Sequence, residues 1–75
     1  MEITLDRLRL DQMAVVTDIE TELPLCRRLQ DFGLIPGTQV RCRYRSPGGS
    51  VTALEFRSSV LALRTEDLKR IWGCC

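Results

Sequence analysis

A chain of 75 residues has room for one small domain with a single hydrophobic core, which argues against a composite active site with a moving lid. Its composition, 44% hydrophobic and 28% charged, is that of a globular protein in water, and no apolar run approaches the roughly 18 residues that would span a bilayer. The net charge of +1 is too small to indicate a dedicated binder of nucleic acid or of acidic lipid.

The charges are divided unevenly along the chain. Residues 1 to 31 carry seven acidic and four basic side chains, whereas residues 32 to 75 carry three acidic and seven basic ones. Ten of the eleven basic residues are arginine, a side chain well suited to bidentate pairing with carboxylates and to protein interfaces. The chain does not begin with the charged and apolar regions of an export signal, so we expect a cytoplasmic protein with reduced thiols.

Two strands are predicted first. Residues 2–5 form a short candidate strand, and residues 13–20, MAVVTDIE, are rich in the β-branched side chains that favour strands. The connector LDRLRLDQ between them offers three leucines as core anchors: Leu5, Leu8 and Leu10.

A helix is predicted next, because apolar side chains recur on one face at i, i+4 and i+7: Leu25, Leu29 and Phe32. Thr21 or Glu22 can cap the N-terminus of this helix, and Pro24 is tolerated in a first turn.

The segment RLQDFGLIPGTQV ends the helix and starts a new strand. Gly33 follows the last periodic apolar residue, where glycine typically adopts the left-handed conformation that terminates a helix. Pro36 and Gly37 suit the two central positions of a type II turn. These three residues form the structural motif that we expect to connect the helix to the sheet.

The segment TQVRCRYRS predicts a half-buried strand, because polar and apolar residues alternate along it. The inner face would carry Val40, Cys42 and Tyr44. The outer face would carry a stripe of positive charge made of Arg41, Arg43 and Arg45.

The remaining third of the chain predicts a hairpin, a short helix and a last strand. Pro47-Gly48-Gly49 closes a hairpin into SVTALEFR, and Ser58-Ser59 turns that strand into VLALR. Four side chains of these strands would face inward: Leu54, Phe56, Leu61 and Leu63. Residues 65–67 are a capping signal for one helical turn through Leu68, and Ile71-Trp72 forms a short strand before a Cys74-Cys75 tail.

Five or six short strands with tight turns can protect their edges most simply by curling into a barrel. The sequence therefore predicts a mainly β fold, a small SH3-like barrel with one short helix that caps an open end. No linker, repeat or low-complexity segment divides the chain, so residues 1–75 form a single domain.

The chain resembles the FeoA family, the small cytoplasmic proteins of bacterial ferrous iron transport. The resemblance lies in the ordered set Arg28-Leu29, Phe32-Gly33-Leu34, Pro36-Gly37 and Val40, which is similar to the family signature RLxxLGLxPGxxVxV. It extends upstream to Leu5 and Leu8, and downstream to the hairpin residues 47–49 and to LALRTEDLKRI at residues 61–71. Similar domains occur at the C-terminus of DtxR-type metal-dependent repressors, but this chain has no room for their DNA-binding and metal-binding domains.

The chain departs from the family pattern at three positions. Asp11 and Ser58 stand where many members have glycine, and Phe32 replaces a leucine. Aspartate and serine are common turn residues, so these changes affect local turn geometry and not the fold.

The resemblance implies a non-enzymatic accessory protein that docks on the GTP-hydrolysing cytoplasmic part of the membrane transporter FeoB, at the inner face of the membrane. The residues themselves are consistent with a protein that is not an enzyme. Histidine is absent, and the carboxylate pairs Asp18/Glu20 and Glu66/Asp67 fall in a predicted strand edge and a predicted helix cap. The glycine motifs lack the lysine and the strand-to-helix context of a phosphate loop.

Four arginines are the predicted partner-binding residues, because they would present positive charge to a partly acidic protein: Arg41, Arg43, Arg45 and Arg57. Two alternatives remain, a nucleic-acid-binding barrel and a free-standing metal-responsive module. An RNA-binding barrel would interleave exposed aromatics with the basic residues, and Tyr44 is predicted on the opposite face. No nucleic-acid partner is therefore expected.

The cysteines divide into two pairs. Cys42 is predicted to be a core residue, and Cys26 to lie partly covered at the shoulder of the helix. Cys74 and Cys75 form an adjacent pair in a tail that is predicted to be frayed, and their thiolates could reach zinc or another transition metal ion. Two sulfurs cannot complete a tetrahedral site, so a metal-dependent homodimer is the expected form of any such site. No cofactor is required by this interpretation.

Overall fold

The computed structural model describes residues 1–20, 22 and 24–75. The elements, in chain order, are β1 (Glu2–Thr4), a 3₁₀ turn (Leu5–Arg7), β2 (Met13–Ile19), α1 (Cys26–Asp31), β3 (Gln39–Arg45), β4 (Val51–Phe56), β5 (Ser59–Arg64), α2 (Thr65–Leu68) and β6 (Ile71–Cys74). The prediction of a mainly β chain with a short helix is confirmed. Within the described ranges, no helix is long and apolar enough to cross a membrane.

The six strands found among the described residues form one antiparallel sheet in the order β1-β6-β2-β3-β4-β5. Residues from every strand except the short β1 contribute to one core cluster, together with residues of the 3₁₀ turn and of both helices. The molecule measures 28 × 24 × 23 Å, so the sheet curls around this core and does not lie flat. This is the small barrel that the short strands and tight turns predicted.

The leucine anchors are partly as predicted. Leu5 and Leu8 are fully buried, but Leu10 is 64% exposed. Leu10 precedes Asp11 in a turn closed by the Gln12 amide, which donates to the Arg9 carbonyl at 3.0 Å. The turn directs Leu10 away from the core. The spacing of the leucines in the connector does not predict this turn.

Helix α1 is shorter than predicted, and its N-terminal cap is not the expected one. Thr21 lies outside the described residues. Glu22 is not the cap, because the N-cap position belongs to Leu25, which makes no side-chain capping bond. Of the three predicted apolar positions, Leu29 is fully buried and Leu25 is half-buried, whereas Phe32 lies at the C-cap and is 58% exposed.

The C-terminus of α1 has the predicted glycine cap. Gly33 has φ +91, and its amide donates to the Gln30 carbonyl at 3.0 Å. The next amide, from Leu34, donates to the Leu29 carbonyl at 2.8 Å. Bonds of this pattern define the Schellman motif, which satisfies carbonyls at a helix end. The side chain of Leu34 is fully buried, so the cap returns the chain to the core.

The predicted type II turn is confirmed. Gly37 has φ +96, and the Thr38 amide donates to the Ile35 carbonyl at 3.0 Å across Pro36-Gly37.

The two hairpins are present, one of them shifted by a residue. The β3–β4 hairpin turns through residues 47–49 as predicted, and the Gly49 amide donates to the Ser46 carbonyl at 2.8 Å. The β4–β5 hairpin turns at Arg57-Ser58, and not at Ser58-Ser59, since Phe56 pairs with Ser59. Arg57 and Ser58 have φ 51 and 65, which is the type I′ geometry that favours glycine.

Strand β6 is not followed by a frayed tail. Cys74 belongs to the strand and pairs with Glu2 of β1 and with Val15 of β2, and the Cys75 amide donates to the Met1 carbonyl at 3.0 Å. The prediction of a frayed tail was therefore wrong. Strand β6 takes an interior position of the sheet, between β1 and β2.

Candidate functional site

The predicted arginine stripe on β3 is interrupted by a β-bulge. In the pairing of β3 with β4, Cys42 lies opposite Leu54 and Tyr44 lies opposite Ala53, so Arg43 is the extra residue. A bulge reverses the alternation of side chains beyond it. Arg41 and Arg45 therefore do not share one face, and the prediction of a single stripe was wrong.

Tyr44 is affected in the same way. Val40 and Cys42 are buried as predicted, but Tyr44 follows the bulge and is 54% exposed. The bulge turns this ring outward, so the prediction that Tyr44 faces the core was wrong. An exposed aromatic side chain does lie among the arginines of β3.

Arg45 is tied to the backbone at the start of the chain. Its Nη2 donates to the carbonyl of Asp6 at 3.0 Å and also to the carbonyl of Leu8. These carbonyls belong to the 3₁₀ turn and the residue that follows it, where helical acceptors lack partners. Arg45 thus holds the 3₁₀ turn against β3, although its side chain is exposed.

Arg43 sits between two carboxylates. Its guanidinium lies 3.8 Å from Asp11 and 3.9 Å from Glu55, and all three side chains are about half exposed or more. Exposed ion pairs of this kind contribute little to stability, since water screens them. Asp11 has φ 66, so it occupies a glycine-type position and also supplies one of these charges.

Arg41 and Arg57 line a shared surface groove of about 260 Å³, together with Met13 and Glu55. Arg41 approaches the Met13 sulfur, with Nη2 to Sδ at 3.1 Å. The Arg57 side chain lies over Gly33, because a Cβ built at Gly33 would be 3.2 Å from Arg57 Cδ. We name Arg41, Arg43 and Arg57 the arginine surface.

The cysteine pair does not form a single-chain metal site. Cys74 and Cys75 are both exposed, and they supply only two sulfurs of the four ligands that zinc prefers. The Cys74 sulfur lies 3.7 Å from the N-terminal amine, and the Cys75 sulfur 3.9 Å from the Met1 carbonyl. No cluster of three or more metal-binding side chains occurs in the part of the chain that the structure describes. The residues therefore do not fit a tetrahedral zinc site within one chain. Cys42 is buried as predicted, and Cys26 is also buried, more than predicted.

One surface was missed by the sequence reasoning. An apolar groove of about 280 Å³ runs between α1 and β5, lined by Leu25 and Phe32 on one side and by Leu61, Ala62 and Leu63 on the other. We name it the α1–β5 groove. The sequence periodicity predicted that the apolar side chains of the helix all lie in the core. Periodicity alone does not show that some of them also border a surface groove.

Comparison with known proteins agrees with the fold. The FeoA domain model matches residues 3–73. Among curated proteins, none matches the sequence significantly.

Three solved structures illustrate the similarity. The FeoA-like protein of Clostridium acetobutylicum is 28% identical, with a TM-score of 0.86 and coverage of 96% of this chain and 84% of that one. The FeoA of Stenotrophomonas maltophilia, solved with zinc and described as a prokaryotic SH3 domain protein, is 31% identical, with a TM-score of 0.78 and coverage of 95% and 88%. A manganese-dependent transcriptional repressor matches at 16% identity and a TM-score of 0.86, over 97% of this chain and 41% of the repressor, which shows a shared fold only. The prediction of an SH3-like fold is confirmed.

Proposed function

The chain belongs to the FeoA family, and from this premise we propose that it is a non-enzymatic cytoplasmic protein that docks on the GTPase-containing part of the ferrous iron transporter FeoB. An accessory role in ferrous iron transport follows from the family. The observation that carries the proposal is the match of the FeoA model to residues 3–73, nearly the whole chain.

The arginine surface supports docking on an acidic partner. Arg41 and Arg57 line one groove, and neither makes an ion pair with a described residue. Their guanidinium groups can therefore pair with carboxylates of another protein without breaking an ion pair within the described residues. Arg43 already lies close to two carboxylates of its own chain. It can pair with a carboxylate of the partner only if these weak ion pairs break. Arg45 is left out of the surface because it holds the 3₁₀ turn.

Replacing the three residues of the arginine surface with glutamine is expected to weaken binding to the soluble GTPase domain of FeoB at least tenfold while leaving the chain folded. The change removes charge from the surface, and none of the three side chains belongs to the core cluster. A matched triple variant at Arg7, Lys69 and Arg70 removes the same charge elsewhere and should bind like the parent. Isothermal titration measures both. Equal affinity of the first variant and the parent would exclude the arginine surface from docking.

The alternative to docking is an RNA-binding role. The observation that favours a test of this role is the exposed Tyr44, which lies next to Arg43 and Arg45 in β3. A protein that binds phosphates releases counterions, so its affinity falls steeply as salt rises. We propose instead that the chain does not bind single-stranded RNA. A titration with labelled oligouridine at 50 and 200 mM salt decides between the two, and salt-dependent binding would favour the RNA-binding barrel.

Zinc is expected to join two chains through the cysteine pair, because one chain offers too few ligands in a suitable arrangement. Sedimentation with and without zinc measures this dimer. The appropriate control is Cys74→Ser with Cys75→Ser, since removal of these residues would delete part of β6. Zinc-dependent dimers that persist in the serine variant would exclude the cysteine pair as the site.

A further inference from the structure

Strand β5 is an exposed sheet edge that lacks the usual protection. It pairs with β4 over six residues without interruption of the register, and it has no second neighbour among the described strands. Proteins protect such edges with charged side chains, above all lysine, and with proline, bulges or very short strands. The opposite edge, β1, has only three residues, whereas β5 contains neither proline nor lysine and its one charged residue, Arg64, is its last. An edge of this kind is a template for another strand.

The pairing with β4 identifies which backbone groups of β5 are free. The two-residue turn makes Phe56 and Ser59 a hydrogen-bonded pair, so bonds to β4 recur at Leu61 and Leu63. The intervening residues, Val60, Ala62 and Arg64, direct their N–H groups away from β4, and Val60 and Ala62 direct their C=O groups the same way. The Arg64 carbonyl lies at the N-cap of α2, where it accepts the first helical hydrogen bond. All three residues are exposed. The outward N–H groups of these three residues and the C=O groups of Val60 and Ala62 are therefore available to another strand.

The α1–β5 groove runs beside this edge and supplies side-chain contacts for an added strand. Phe32 is 58% exposed, and Leu25 and Leu61 are half-buried. Peptide recognition by strand addition combines main-chain bonds to an edge with pockets for alternate side chains. The groove and the edge together provide both.

The positive charge near the groove indicates which kind of strand would bind there. Arg28 lies in its wall, and Arg28 and Arg64 also line the adjoining pocket with Asp67. Neither arginine makes an ion pair with any residue that the structure describes. A second copy of this chain would not complement them, because β5 contains no acidic residue. Acidic side chains on the incoming strand would complement both arginines.

We propose that β5 and the α1–β5 groove bind an extended acidic peptide segment of a partner protein by strand addition. Apolar side chains at alternate positions of the segment enter the groove. The carboxylates between them lie on the opposite face of the added strand, the face of Arg64, and pair with Arg64 and with Arg28 in the pocket that the two arginines share. This inference does not depend on the arginine surface, so each can fail without the other.

The test uses a fluorescein-labelled seven-residue peptide in which four valines alternate with three glutamates, and a peptide with lysines in place of the glutamates as control. The acidic peptide should bind at least tenfold more tightly than the basic one. Binding should shift the amide NMR signals of Val60, Ala62 and Arg64. Absence of binding at millimolar peptide, or equal binding of both peptides, would overturn the proposal.

Two further controls test the main-chain bonds. The acidic peptide with N-methyl groups on alternate amides, prepared in both registers, should lose at least tenfold in affinity in one register, and unchanged binding in both would exclude strand addition. Ala62→Pro removes an outward amide hydrogen at a sheet edge, where proline is tolerated, and should have the same effect.

Arg28→Gln with Arg64→Gln should abolish the preference for the acidic peptide. If the peptide-free chain dimerises and Ala62→Pro abolishes the dimer, the occupant is a second copy and the proposal is wrong.

Discussion

Replacement of Gly73 by valine is expected to destabilise the protein by about 3 kcal/mol, because it overpacks the centre of the sheet. Gly73 lies in β6 between Ile3 of β1 and Val16 of β2. A Cβ at this position would be 2.9 Å from Cδ2 of Leu5 and 3.2 Å from the carbonyl oxygen of Val15. Leu5 is fully buried, so its side chain cannot move into solvent. Urea denaturation followed by circular dichroism measures the loss.

A double-mutant cycle separates this clash from other effects of the substitution. Leu5→Ala removes the atom closest to the new Cβ, so Gly73→Ala should cost less in the Leu5→Ala background than in the parent. Gly48→Val is the matched control, since a Cβ at Gly48 would meet no described atom within 4 Å beyond its chain neighbours and its φ is not positive. Strict additivity of the two changes would mean that Leu5 is not the obstacle.

Gly33→Val is expected to destabilise the protein by more than about 1 kcal/mol. The left-handed conformation at φ +91 is unfavourable for a β-branched side chain, and the new atoms would also press on Arg57. A shift of Gly33 out of this conformation would disrupt the two hydrogen bonds of the Schellman motif. Chemical denaturation measures the change as a lower midpoint with unchanged slope.

Substitutions at two other glycines separate the two causes of this destabilisation, which are the backbone conformation and the contact with Arg57. Gly37 has φ +96, and a Cβ built there lies more than 4 Å from every described atom beyond its chain neighbours, so Gly37→Val measures the backbone cost alone. Gly48→Val has neither cost and should stay within about 0.5 kcal/mol of the parent. An unchanged midpoint for Gly33→Val would contradict the helix end assigned here.

The local features of this protein were determined by the sequence itself. The β-branched run at residues 13–20, the glycine that ends α1 and the Pro36-Gly37 turn each depend on steric preferences of a few neighbouring residues, and each was predicted correctly. The glycine and the turn also supply three residues of the FeoA signature: Gly33, Pro36 and Gly37. For this reason the family could be recognised before the fold was known.

Tertiary structure alone decided which surfaces are available for binding. The bulge at Arg43 comes from the pairing of β3 with β4. Because of this bulge, Tyr44 faces outward and the Arg45 side chain contacts the 3₁₀ turn. The position of β6 between β1 and β2 made an apparent tail part of the sheet interior, because strand order is set by contacts between residues more than 50 positions apart. The same order left β5 at the edge, beside an exposed Phe32. Periodicity reports which face of a strand is buried but not which strand will lie beside it, so neither the broken arginine stripe nor the α1–β5 groove could be predicted.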